Sequence, residues 1–199
     1  MRTEQEEKPY GYKLEPGEDL VAAGYAGREG ARQLAWAFKG ELSSWFSSGF
    51  LEEAQEEMQE EAAFPWKEFS WWEKLGVTAM EPAGEGGILK AVWDLCERYK
   101  IGAWFCLRDI PIKQSTIEIC ERCGLNPYRL LSGNCLVLAA ENGGHVVRAC
   151  KEKGIPAAVI GQVKEGIGRE IRHGQETGYL GRPVEDELRR AFREGFPSR

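Results

Sequence analysis

Two short segments of the chain carry residue types that can hold a ligand. The first is Pro82-Ala-Gly-Glu-Gly-Gly87, in which Gly84, Glu85, Gly86 and Gly87 lie between a predicted strand and a predicted helix. Glycines in such a turn gather free backbone N–H groups at the positive end of a helix dipole, a combination that holds a phosphate or another anion. The pattern is neither G-x-G-x-x-G nor a Walker loop, and a tight strand-to-helix turn accounts for the same glycines. The second segment is Leu131-Ser-Gly-Asn134, where Ser132 and Asn134 offer hydrogen bonds beside the bare backbone of Gly133. It too is explained as a plain turn. These seven residues are the candidate anion-binding set.

Other reactive residue types form no constellation. Glu81 and Glu85 flank the glycine loop, where acid–base work is conceivable, yet surface carboxylates in a loop usually have no such role. The two histidines, His145 at a helix start and His173 in a polar loop, give no triad arrangement. Cys120 and Cys123 form a lone CxxC inside a predicted helix, without a second CxxC or a spaced His pair, so buried thiols are expected rather than a metal site. No catalytic residue is assigned, and neither a metal nor a cofactor is expected.

These segments need elements to hold them. Leu20–Tyr25 reads as a buried strand and Glu29–Phe38 as a helix with Ala31, Leu34 and Ala35 on one face. Residues 50–63 form a Glu-rich helix. Val77–Met80 is a strand, Ile88–Tyr99 an amphipathic helix and Gly102–Leu107 a strand, with Ile110–Ile112 an extended edge. Helix Gln114–Cys123, a turn with Pro127 at its first position, strand Asn134–Ala140, helix Gly143–Lys153 and strand Ala157–Val163 follow. Glu170–His173 adds a short strand and Val184–Arg193 a closing helix. The order between 102 and 163 predicts an α+β fold: a ferredoxin-like βαβαβ core in a mixed sheet, with helices packed on one face and an N-terminal helical extension. Residues 1–15 are expected to be a flexible arm and 16–199 a single domain. Within it, 16–76 is an acidic Trp-rich helical part, 77–180 the α+β core and 181–199 a C-terminal helix.

Composition narrows the function classes. The 199 residues are 42% hydrophobic and 29% charged, with 7 Trp, 6 Tyr and 8 Phe, enough for a packed core. No apolar run nears the ~20 residues of a membrane span, and the acidic, polar N-terminus is no signal or transit peptide, so a cytoplasmic protein is expected. Net charge is −6, placed unevenly: residues 1–85 hold 8 Lys and Arg against 18 Asp and Glu, and the remainder 18 against 14. An acidic first half argues against nucleic-acid binding. Five of the seven Trp fall within Trp36–Trp72. That concentration serves either internal packing or a surface for a protein partner or self-association.

The stretches Gly76-Val-Thr-Ala-Met80, Glu85-Gly-Gly-Ile88, Gly124-Leu-Asn-Pro-Tyr128, Leu131-Ser-Gly133 and Gly154-Ile-Pro-Ala-Ala-Val-Ile-Gly161, in this order and spacing, resemble the C-terminal domain of AIR synthase-related proteins. Within that superfamily the resemblance is nearest to hydrogenase maturation factors of the carbamoyl-dehydratase type. It implies a PurM C-terminal-domain-like fold. It also implies that ATP and magnesium are bound by an N-terminal domain with no counterpart here. Where that family reads Asp-x-Thr before the glycines, this chain has Glu81-Pro-Ala-Gly84; its last cysteine is Cys150, and it ends Phe196-Pro-Ser-Arg199 without the terminal cysteine on which the dehydratase acts. The expectation is a scaffold relative, inactive alone, that works as a binding or partner module. A separate ATP-binding subunit completing an enzyme, and a phosphate- or nucleotide-binding regulatory domain, are the alternatives.

Overall fold

The computed structural model describes residues 14–56 and 68–197. Most of the predicted arm and the second half of the Glu-rich helix lie outside those residues. Seven strands form one sheet in the order β2-β4-β1-β5-β3-β6-β7. They are β1 (Asp19–Ala23), β2 (Val77–Gly84), β3 (Gly102–Phe105), β4 (Ser132–Ala140), β5 (Ala157–Lys164), β6 (Arg169–His173) and β7 (Glu176–Tyr179). Every pairing is antiparallel except β3 with β6, which makes the sheet mixed.

β4 is apolar and buried from Cys135 to Ala140 without alternation. Such a run fits a strand covered on both faces. Leu20, Ala22, Val137 and Ala139 face one side with α5 (Gly87–Tyr99), which buries Ile88, Val92 and Leu95 there. Val21, Ala23, Leu136 and Leu138 face the other, against Val146 and Cys150 of α7 (Gly143–Glu152) and Trp72 of α4 (Phe69–Glu73). Helices therefore cover both faces, not one as the sequence pattern suggested. The reason lies in β1: residues assigned to the helical part enter the sheet between β4 and β5, and their small alanines let helices approach from either side.

A third apolar cluster joins α1 (Arg28–Ala37), α2 (Lys39–Leu42), α3 (Ser48–Gln55), α6 (Gln114–Cys123) and α8 (Glu187–Glu194). Leu34, Leu42, Leu51, Ile119 and Leu188 meet there. Among the described residues Ile110–Ile112 pairs with no strand; after the 3-10 turn Leu107–Asp109 it is a link, with Ile110 buried in the first cluster. Among the described residues β2 is an edge strand paired only with β4, which is where Pro82, lacking an N–H, can sit without breaking a ladder. Its register shifts twice, between Val77 and Ala79 and between Pro82 and Gly84.

All six cysteines are free thiols, five of them buried. Burial pushes the Cys96, Cys123 and Cys150 thiols up to about 11. No helix among the described residues is long and apolar enough to cross a membrane.

Leu20 is fully buried in the strand that both helical layers contact. Leu20→Ala is expected to cost about 2–5 kcal/mol, seen as a lower urea midpoint at unchanged m-value.

Candidate functional site

The two glycine-bearing segments come together at one end of the β2–β4 ladder, where Gly84 pairs with Ser132. Their neighbourhood is built around helix starts. Both α1 and α5 begin at a left-handed glycine, Gly27 (φ 67°) and Gly86 (φ 86°), which has no side chain to cap the helix. The exposed N–H groups of a buried helix start must be met by something else. The Gly27 N–H donates to Ser132 Oγ at 2.7 Å, and that hydroxyl donates in turn to the Leu130 carbonyl at 2.8 Å. The Gly30 N–H reaches the Leu131 carbonyl at 3.0 Å.

At α5 the capping group is Asp186. Its carboxylate accepts from the Gly86 N–H at 2.5 Å and from the Leu188 N–H at 2.7 Å, so one side chain starts both α5 and α8. The Leu131 N–H donates to it as well. Asp186 is buried, and desolvation lifts its carboxyl above the ordinary range despite three opposing N–H bonds, with Glu85 adding to the rise.

Of the candidate residues, Ser132 is buried and committed to the helix starts, while Gly133 and Asn134 are exposed. A Cβ at Gly133 would strike the Glu29 carboxylate. Gly86 is committed to Asp186. Gly87 is required by space and conformation together: its φ is 67°, and a Cβ would lie 2.5 Å from the Tyr128 carbonyl oxygen and 2.8 Å from that of Leu130. Gly84, with φ 41°, faces open space.

Beside the loop is an open cleft of about 420 Å3. Glu81, Glu85, Asp94, Glu185 and Asp186 line it against only Lys90 and Arg189. The cations are used locally: Lys90 pairs with Asp94, Arg189 with Glu85 and Arg193 with Glu185, and Arg98 holds Glu81 at 2.7 Å. An oligophosphate entering here would meet five carboxylates against two cations. Neither Glu81 nor Glu85 is thus a free acid or base. His145 and His173 are exposed and lie on separate elements. Among the described residues no group of three or more His, Cys, Asp or Glu is placed to hold a metal ion.

Asp186 is the residue of this site that the sequence does not mark. An Asp just before the Leu188/Ala191 periodicity is a helix N-cap signal, but nothing local shows that it also reaches Gly86.

The family described as AIR synthase related protein, C-terminal domain, matches residues 15–173. No curated protein matches the chain. Solved structures that share its fold include the following three. HypE in the HypE-HypF complex is 17% identical with a TM-score of 0.62, covering 85% of this chain and 54% of that one. The hydrogenase maturation protein HypE in complex with ATP is 14% identical with a TM-score of 0.64, covering 90% and 55%. Thiamine-monophosphate kinase from Stenotrophomonas maltophilia K279a is 16% identical with a TM-score of 0.59, covering 85% and 52%. The chain spans about half the length of each.

Gly84→Ala is expected to cost about 1–2 kcal/mol from backbone strain alone, and Gly87→Ala distinctly more, because the obstructing atoms are backbone. Urea denaturation of both variants checks the order. The carboxyls of Glu18 and Asp186 are both raised mainly by burial, so their neutral forms favour the fold. That contribution is full below about pH 4 and fades as pH rises through the raised values. Between pH 4 and 7 an Asp186→Asn protein should therefore lose less stability than the native chain, with Glu85, Glu185, Lys90 and Arg189 unchanged around it. Thermal melts across that range give the two slopes.

Proposed function

The chain belongs to the AIR synthase related proteins through their C-terminal domain, and on that premise we propose that it is a non-catalytic member, a binding or partner module that does not hydrolyse ATP alone. The observation that carries this reading is the bond from the Gly86 N–H to Asp186. The turn best suited to a phosphate is already filled by the protein's own carboxylate, and the adjoining cleft is walled with acids. Fold likeness to an ATP-bound protein does not supply an ATP site, because function rests on the residues grafted onto a scaffold.

The helical cluster offers a surface for the binding role. Trp36 is 59% exposed, Trp45 40% and Phe192 51%, on α1, the α2–α3 connection and α8. Of the other aromatics in Trp36–Trp72, Trp72 is fully buried, with Trp71 edge-on at 4.6 Å, and Trp66 lies outside the described residues. Exposed large aromatics favour protein contacts over water.

A second reading is an ATP-dependent maturation or amide-activating enzyme completed by another ATP-binding subunit. It draws on the likeness to HypE, which has been solved both with ATP and in a complex with HypF.

The purified chain is expected to show ATPase at background level and no calorimetric heat with millimolar ATP or inorganic phosphate. Turnover by the chain alone would refute the proposal. Turnover appearing only when a purified second subunit is added back would favour the second reading.

A further inference from the structure

β7 is the outer strand of the hairpin that ends the sheet, and all of its residues, Glu176–Tyr179, are exposed. Its ladder to β6 fixes which backbone groups look outward. The turn Gly174-Gln175 closes on the pair His173–Glu176, and the Leu180 N–H donates to the Arg169 carbonyl at 2.8 Å. Hydrogen-bonded pairs alternate along an antiparallel ladder. Glu176, Gly178 and Leu180 therefore bond to β6. The N–H and C=O of Thr177 and Tyr179 point away from it, where no further strand pairs among the described residues. Side chains alternate in the same rhythm. Leu180 is buried in the first apolar cluster, so Thr177 and Tyr179 rise on the opposite face, beside Arg172 and Glu170. Tyr179 is 73% exposed, as is Ile167, and a Cβ at the adjoining Gly168 would lie 3.9 Å from the tyrosine ring.

We propose that β7 is a self-association edge, which pairs antiparallel with β7 of a second copy of this chain about a two-fold axis at Gly178 and joins the two sheets. The outward groups set this register. With the axis at Gly178, Thr177 of each copy faces Tyr179 of the other, and each of the two pairs exchanges both of its N–H···O=C bonds. Gly178 meets its own twin on the axis, with no side chain to crowd it. An aromatic and a β-branched side chain then stand opposite each other twice, a favourable cross-strand pair. Charge selects the same occupant. Glu176, the one charged residue of the strand, lies opposite Leu180 of the second copy and two residues from Arg182 of that copy. The two Glu176 carboxylates are meanwhile staggered by about 13 Å along the strands. Each copy thus supplies the acid and the base that its twin meets. Pairing uses up the edge in both copies, so association stops at a dimer. So short an edge makes it a weak, reversible one. It involves neither the aromatic helical surface nor the glycine loop, so it stands or falls apart from the reading above.

Sedimentation velocity from micromolar to millimolar chain should show a monomer–dimer equilibrium with no larger species. Thr177→Pro removes an outward N–H and none of the bonds to β6. Each dimer then loses a bond from either copy, so association should weaken at least about tenfold while the thermal midpoint stays near the native one. Thr177→Val, which keeps the N–H, should associate as the native chain does. In the native chain, amide exchange at Thr177 and Tyr179 should slow at least about twofold over the same concentration range. A monomer at millimolar concentration, exchange at these two amides that ignores concentration, or association that Thr177→Pro leaves intact overturns the proposal. If Thr177→Pro does not fold, the exchange series in the native chain decides.

Discussion

Helix starts made of glycine create a debt of hydrogen bonds that no local side chain can settle, and this fold meets it with residues from far away in sequence. Gly27 is capped by Ser132, and Gly86 by Asp186. The Gly143 N–H at the start of α7 is bonded by Asp19 at 2.9 Å, with Asn142 capping beside it. Each of these contacts fastens a helix to a distant segment while removing a buried unpaired donor, which would otherwise cost about 1–3 kcal/mol. The short stretch Pro127–Ser132 is the place where most of them converge. It blocks any side chain at Gly87, accepts from Gly30 and supplies the serine for Gly27. The positions of α1, α5 and α8 thus follow from one hub.

The same hub explains why a phosphate-like motif does not by itself imply a phosphate. A glycine loop at a helix start offers donors to whatever acceptor is nearest. Here the nearest is an internal carboxylate at a neighbouring helix start, and the cleft outside carries mostly negative charge. Scaffold and loop chemistry have separate determinants: the first is set by the packing of small residues in β1 and β4 against α5 and α7, the second by which side chains reach the loop.

Much of the fold was legible because its signals are local. The periodicities of α1, α5, α6 and α7 and the apolar runs of β1, β4 and β5 identify those elements directly, and the glycines mark their ends. β7 was missed because Glu176–Tyr179 is exposed throughout and shows no alternation; it exists through its hairpin with β6 across Gly174, at φ 61°. The place of β1 was also hidden, since five residues cannot announce which partners they will have across a hundred residues of chain. In the site, the glycine segment was legible as a strand-to-helix turn, whereas Ser132–Asn134, expected to be a turn, are the first residues of β4, drawn into the sheet by the pairing of Ser132 with Gly84. Asp186 was not, because its decisive contact is tertiary. The Trp-rich stretch divided in a way composition cannot foresee, with Trp72 in the core and Trp36 outside it.

The two borders of the sheet are unlike each other. On the β2 side, Pro82 presents no N–H and the two register shifts break the repeat of donors and acceptors, so an incoming strand finds no continuous row to zip onto. On the β7 side, the hairpin leaves a short, regular, solvent-facing border. Any lengthening of this sheet, whether by a companion polypeptide or by unwanted self-stacking, consequently has one direction in which to proceed. The molecule is directional along its sheet even though helices cover both faces of its central strands.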